Sequence, residues 1–539
     1  LLEIGAAWAF FGFDALPFQD LPAHAGLIAL RDRLATSTLE HEYWVLAPHI
    51  GGYSLFRWLG HLLARPLGAL GAVRFLAAVP CLLFPAALLF ARRRLYGELR
   101  PSFGFLGLVL SFGLMTLFGF ASYLIALGLV IVGLVLWLEL LAACDAEELE
   151  TRAANGSGDS GPDDVVPRRS PSLRALRRTR EAKIAMAAAV IVVAHGFAFI
   201  LFVILCAVIA IASSSGSTSR LRRAAAWRRA RELVYLAPAF ALAAWSALVE
   251  RSEPVPAGSV PWLGHEPPVH FQGIADKLSL LVTPTLMTRY GVDVALCLGL
   301  WVWMALALAQ SRSVEPASGA GSAWSHARAL RAAALAALGL FLVLPHGIRW
   351  FGFVDGRVVP LILMLGFLAL PRAQLSGRLA NAFEYAIPAA ATAMVALVLV
   401  ASSAFQAEAR GYREVLEQVP TGARLLNLPL GPNSHVFTAH PFVHYDKLIL
   451  VDRPLVASDV WFHQGSALYP TRRNPALLLP ADYIESDLGA VDWRRYRLDQ
   501  WDYVLIRLDA AQAPPPVPSG LTLVRHEGGW WLFHVAPAS

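Results

Sequence analysis

The stretch "GFASYLIALGLVIVGLVLWLEL" (119–140) carries no charge before its penultimate residue. About 20 apolar residues are what a helix needs to cross a bilayer, and in lipid such a run must be helical to pair its own backbone. Other apolar runs lie at 1–13, 69–91, 101–118, 184–213, 232–249, 292–310, 328–345, 357–371 and 384–403. Composition agrees: 56% of the chain is hydrophobic and 16% is charged, where soluble domains carry roughly a quarter charged residues. The expectation is a polytopic α-helical membrane protein with about eleven spans.

Charge orients the spans. A net charge of +6 would suit a nucleic-acid binder, but the arginines cluster in "ARRRLYGELR" (91–100), "RRSPSLRALRRTREAK" (168–183) and "SRLRRAAAWRRARE" (219–232). Basic clusters in short loops mark cytoplasmic membrane flanks. No nucleic-acid motif is visible and no nucleic-acid partner is expected. The resulting transmembrane domain covers 1–403. It includes a first outer segment (14–68), a disordered cytoplasmic loop (142–182) around "NGSGDSGPDD", and an outer loop (250–290). Residues 184–213 sit between two cytoplasmic loops and are broken by "AHGF" (194–197), which predicts a tight hairpin with short arms. The chain opens at Leu1 inside an apolar stretch, so residues are expected upstream, and no cleavable signal pattern is present.

Residues 404–539 read as a small soluble α/β domain on the outer face. "ARLLNLPL" (423–430) and "DYVLIRL" (502–508) suit buried strands, and "LTLVRHEGGWWLFHV" (521–535) suits a hairpin turning at Gly528-Gly529. "YREVLEQV" (412–419) suits a helix. Cys81, Cys206 and Cys297 lie in apolar runs and Cys144 ends one, with neither disulfide nor zinc spacing. There is no P-loop, G-x-G-x-x-G or H-E-x-x-H motif.

"PFQDLPAHAG" (17–26) places Asp20 and His24 one helical turn apart where the first apolar run ends. Asp20 suits a helix N-cap, with proline tolerated in the first turn. It also suits the acidic corner of an active site. "EHEYW" (40–44) could bind a divalent metal such as Mg through Glu40, His41 and Glu42, or be a solvated loop. "PHGIRWFGFVDGRVVP" (345–360) carries His346, Arg349, Asp355 and Arg357 into a helix. Its arginines could bind phosphate or snorkel to headgroups. Lys277 precedes an apolar helix and suits phosphate binding or interfacial anchoring. His195, inside an apolar run, is a functional candidate, and with Tyr123 it would face the side of Asp20. "HPFVHYDK" (440–447) is histidine-rich and could contact substrate.

Four of these stretches together resemble the GT-C superfamily of integral-membrane glycosyltransferases. They are "DLPAH" (20–24), similar to a D-x-P-x-H pattern, the 119–140 helix with its early Tyr, "VVAHGFAFILFVIL" (192–205) with a central His, and "VDGRVVPLILML" (354–365) opening on Arg. The resemblance implies transfer of a sugar from a polyprenyl-phosphate donor to a glycan or protein acceptor, at the outer face of a bacterial inner membrane. It implies Asp20 as base, with His24 beside it. Arg349, Arg357 and Lys277 would take the donor phosphate, and His195, Tyr123 and His346 would line the outer-face site. Many members carry a paired acid in the first loop, whereas here Asp20 follows Gln19, with Asp14 six residues earlier. The competing readings are a non-catalytic scaffold in which "QDLPAH" only caps a helix, and a transporter or flippase. The placement of charges at span ends rather than mid-membrane disfavours the latter.

Overall fold

The computed structural model describes residues 2–46, 50–156, 171–213, 226–252, 269–285, 288–311, 321–348, 351–370, 377–458, 468–480, 483, 491–509 and 511–537. The chain opens with α1 (Leu2–Phe11), α2 (Leu21–Leu34), α3 (Thr38–Tyr43) and the strand β1 (Trp44–Leu46). The bundle continues through α4 (Ser54–Ala78), α5 (Pro80–Tyr96), α6 (Pro101–Ser111), α7 (Leu114–Leu117), α8 (Ala121–Gly156), α9 (Pro171–Ala194) and α10 (Gly196–Ala212). It closes with α11 (Ala237–Ser252), α12 (Ile274–Ser279), α13 (Val292–Ser311), α14 (Gly321–Val343), α15 (Val359–Leu368) and α16 (Gly377–Ala409). Among the described residues six helical stretches are long and apolar enough to cross a membrane, and four further apolar helices are 10–17 residues long. This is a multi-pass membrane protein.

α8 is the central column, and its Tyr123 and Trp137 are fully buried. At its start, Ser122 Oγ donates to the Ala194 carbonyl at 2.6 Å. Fifteen residues further along, Trp137 Nε1 donates to the Cys206 carbonyl at 2.9 Å. The chain therefore climbs α8 on α9, reverses at the single extended residue His195 (φ −163°, ψ 117°), and descends on α10. This is the hairpin the "AHGF" break predicts, but its arms are longer than expected, 24 residues in α9 and 17 in α10, because the basic segment from Pro171 continues into α9. The carbonyl that the break frees on Ala194 is shared by Ser122 Oγ and the Tyr53 backbone N–H, which removes the cost of burying it unpaired. α4 runs out of the expected outer segment and is non-helical only at Gly68 (φ +69°), where the apolar return begins.

The expected cytoplasmic loop is narrower than 142–182. α8 extends to Gly156 and α9 begins at Pro171, leaving 157–170 outside the described residues. The reason is charge pairing between the loop's acidic and basic halves. Arg177 bonds Glu147 at 2.7 Å, Glu181 at 2.8 Å and Glu232 at 3.2 Å.

The C-terminal α/β domain begins with α17 (Tyr412–Leu416) and β2 (Arg424–Leu428). α18 (Ile449–Asp452), β3 (Val456–Ala457), β4 (Leu468–Pro470), β5 (Tyr503–Arg507), β6 (Leu521–Glu527) and β7 (Trp530–Val535) follow. Five strands form one sheet in the order β3-β2-β5-β7-β6, with β2 parallel to β3 and β5, and β7 antiparallel to β5 and β6. Gly528, at φ +57°, turns the last hairpin. β1 pairs with β4, so the first outer segment is stitched to the C-terminal domain.

Candidate active site

Asp20 occupies the N-cap position of α2, and Pro22 sits in the first turn. An N-cap residue is normally extended, with its side chain accepting from the turn ahead. Asp20 is instead helical (φ −89°, ψ −8°) and makes no side-chain cap bond, so its carboxylate is not spent on the helix. Backbone pairing fixes it. Gln19 N donates to Leu117 O at 2.7 Å and Asp20 N to Phe118 O at 3.2 Å. Gly119, at φ +80°, allows this approach, since a Cβ there would lie 2.9 Å from the Asp20 Cβ.

Asp20 is only 6% exposed, and its Oδ1 lies 3.8 Å from His444 Nε2. Burial pushes its pKa up to about 7, against the opposing pull of His444 and Arg357. His24 is buried beside it, packs at a tilt against Phe56 with ring centroids 4.9 Å apart and hydrogen-bonds the Gly119 backbone. Burial, helped by His444, pushes it down to about 4, so it stays neutral near pH 7.

Arg357 does not snorkel. It is 3% exposed, its guanidinium lying 4.1 Å from the Phe120 ring and 4.1 Å from the Phe351 ring. Its Nη2 donates to Gly352 O at 3.1 Å, and Tyr123 OH donates to the Arg357 carbonyl. The guanidinium also bonds the Tyr53 hydroxyl. His195, 2% exposed, packs edge-on against Tyr53 at 4.9 Å and Tyr123 at 5.2 Å. Among the described residues neither of its ring nitrogens has a hydrogen-bond partner. Asp20, His24, Tyr123, His195 and Arg357 thus gather at one end of the bundle, around the start of α8.

Lys277 and His346 belong to a neighbouring cluster. Lys277, 4% exposed, donates to Phe341 O and Leu342 O at 3.1 Å and also bonds Leu344 O, closing the carbonyl end of α14. Its Nζ stands 3.5 Å from Asp355, which also accepts from His346 Nδ1 at 2.9 Å and from Gly356 N at 2.8 Å. Lysine at a helix C-terminus meets both the free carbonyls and the dipole. Arg349 lies outside the described residues.

Glu40, His41 and Glu42 sit on α3, away from Asp20. Glu40 is held by Arg33 at 2.8 Å and Glu42 by Arg473 at 2.7 Å. Among the described residues no group of three His, Cys, Asp or Glu side chains could hold a metal ion. Mg favours oxygen ligands, and the groups around Asp20 are imidazole and guanidinium. The described residues around Asp20 do not by themselves supply an oxygen-ligand set for that ion.

Two site residues carry little local signal. His444 lies in the histidine-rich 440–447 stretch, but nothing in the sequence points it at Asp20. The fold brings it there by docking the 445–452 segment on α2, where Gly26 leaves room for the Lys447 carbonyl. Below it, Asp446 is fully buried and bonded by Lys447 Nζ at 2.6 Å and by Asn427 Nδ2 at 3.0 Å. Tyr53 takes φ +94°, rare outside glycine, just before α4.

No sequence-family model matches the chain, and no curated protein does either. Solved structures do match it. ArnT from Cupriavidus metallidurans in the apo state superposes with a TM-score of 0.53 at 14% identity, covering 95% of this chain and 92% of that one. The chain shares the fold of ArnT. ArnT from the same organism bound to undecaprenyl phosphate gives a TM-score of 0.50 at 13% identity, over 99% and 96% of the two chains. The helical bundle with its small C-terminal α/β domain is the architecture the GT-C resemblance implies. At this identity the likeness speaks for the fold, and the chemistry rests on the residues.

Proposed function

We propose that the chain is a membrane glycosyltransferase that moves a sugar from a polyprenyl-phosphate donor to an acceptor hydroxyl at the outer face of a bacterial inner membrane. The observation that carries this reading is a buried Asp20 carboxyl that caps nothing and lies within the field of Arg357. The undecaprenyl phosphate bound to ArnT supports the donor class. The buried environment raises Asp20 toward neutrality, where a carboxylate is an effective general base.

In the step, Asp20 takes the acceptor O–H proton. The acceptor oxygen forms a bond to the anomeric carbon, and the bond from that carbon to the donor phosphate oxygen breaks, the oxygen keeping the electron pair. Arg357, its guanidinium 4.1 Å from each of two rings, meets the charge that develops on the phosphate. His24, neutral and tied to the Gly119 backbone, keeps the α2 entrance in register with the start of α8. The C-terminal domain, stitched on through β1–β4 and docked on α2, shapes the acceptor side.

The test is label transfer in membranes from a pool of labelled polyprenyl-phosphate sugars, comparing wild type with Asp20→Asn at equal folding and insertion. Transfer that collapses in Asp20→Asn is the expected result. Equal transfer by both proteins would remove Asp20 from the chemistry. Transfer by neither, across the whole donor pool, would favour a non-catalytic scaffold.

A further inference from the structure

A cavity of about 400 Å³ opens at the far end of the bundle, lined by Arg93 and Arg94 of α5, Glu139 of α8, Arg180 of α9 and His326 of α14. Its distance from the candidate active site can be read along α8. Asp20 packs at Gly119, just before α8 begins, whereas Glu139 lies 18 residues into the helix. At 1.5 Å per residue that is roughly 27 Å, close to the ~30 Å hydrocarbon thickness of a bilayer. The cavity therefore sits at the opposite membrane interface, where headgroups lie.

Its charge is unbalanced. Three arginines surround one carboxylate. Glu139 uses that carboxylate on Arg94 Nε, and its backbone carbonyl accepts from Arg180 Nη1 at 2.7 Å. Those bonds leave further N–H groups on both guanidiniums, and Arg93 is exposed at the rim. His326 Nδ1 is anchored on Leu95 O at 3.2 Å, which leaves its Nε2 for the cavity. Two helices, α5 and α9, thus bring three guanidiniums against the Glu139 carboxylate, two charges in excess at the membrane edge, and guanidinium forks match phosphate oxygens. The same helices carry exposed apolar side chains toward the bilayer interior, Met186 of α9 (66% exposed) and Leu335 of α14 (68%).

We infer that this cavity binds an anionic phosphodiester, the headgroup of an anionic phospholipid, and clamps α5, α8, α9 and α14 together at that interface. The site is separate from the one proposed for glycosyl transfer, and its occupant does not depend on that reaction.

The test is native mass spectrometry of the full chain, released from micelles holding equal phosphatidylglycerol and phosphatidylcholine. Wild type should retain phosphatidylglycerol preferentially, and each removed arginine should cost roughly fivefold, the factor one basic side chain contributes at an anionic surface. Arg93→Gln/Arg180→Gln should bring the two lipids to parity. Arg178→Gln, an exposed arginine on α9 outside the cavity, should change nothing. Arg93→Gln alone, on an exposed side chain, keeps the test valid if the double variant does not fold. Saturable displacement of the lipid by millimolar pyrophosphate, lost in the variants, would keep the phosphate chemistry and make the source soluble. Equal retention of both lipids by wild type, or phosphatidylglycerol retention unchanged by Arg93→Gln and the double variant, would overturn the inference.

Discussion

Asp355 and Asp20 are both buried carboxylates at the same end of the bundle, and the chain treats them differently. Asp355 is fully buried and accepts from His346 and the Gly356 backbone, with the Lys277 ammonium 3.5 Å away. Lys277 in turn is bound to three carbonyls at the C-terminal end of α14, two in the helix and Leu344 just past it. That cluster spends its charge on the fold. Asp20 is almost as buried, yet its carboxylate caps no helix, and His444 stands 3.8 Å away. What distinguishes Asp20 is its surroundings rather than a missing bond: Asp355 Oδ2 has no hydrogen-bond partner among the described residues yet faces the Lys277 ammonium, whereas Asp20 faces His444 and lies in the field of Arg357, within the cluster around the start of α8. The difference sets a charge tied to a helix end apart from one beside the candidate site, which sequence alone cannot do.

The largest effect should come from Asp20→Asn, which keeps the shape and removes the base. Transfer should fall by about 10²–10⁴-fold, the range a positioned general base supplies, while thermal unfolding shows no loss of stability. Arg357→Lys comes next. It keeps a charge but loses the planar fork between Phe120 and Phe351, and label transfer should drop by roughly 10²-fold, as when one stabilising donor is lost.

Lys277→Met should reverse that pattern. Breaking a buried pair costs roughly 3–5 kcal/mol, so melting temperature should fall, while the turnover of the protein that remains folded should change little. A loss of turnover at unchanged stability would move Lys277 into the chemistry and undo the contrast. His444→Gln is the smallest change. It removes a group that lowers the Asp20 pKa, so the acid limb of the rate profile should move to higher pH without loss of the plateau.

The pH dependence has opposite signs for rate and stability. Transfer needs the Asp20 carboxylate, so it should rise as pH passes through about 7 and then level off. For stability, the folded state holds the Asp20 proton up to about 7, whereas the unfolded chain loses it near 3.8. Stability is therefore fully present below about 4 and declines as pH rises to about 7, by a few kcal/mol at most from this group. Asp20→Asn should abolish that decline in a melting series across pH 4 to 8.

Much of this was legible in the sequence, and the limits have physical causes. Apolar run length announced the bundle, and the alternation and turn residues of 521–535 announced its hairpin. The D-x-P-x-H pattern marked Asp20 and His24, and the break at 194–197 marked His195. What the sequence could not separate was cap from base at Asp20, because both roles want the same residue before the same helix. The backbone conformation and the missing cap bond show only that the Asp20 side chain does not cap the helix. Lys277 read as a phosphate candidate because an outer-loop lysine before an apolar helix carries no sign that three carbonyls at the end of a distant helix will claim it. His444 sits 424 residues from Asp20, and no local periodicity encodes a contact at that separation.

The most direct measurement is the titration of the Asp20 carboxyl itself, by isotope-edited infrared difference spectroscopy of the purified chain, with Asp20→Asn to assign the band. The account predicts a carboxylic acid band that disappears with a midpoint near pH 7. A midpoint at or below 4 would place Asp20 among the ordinary solvated or paired carboxylates and contradict its role as the base.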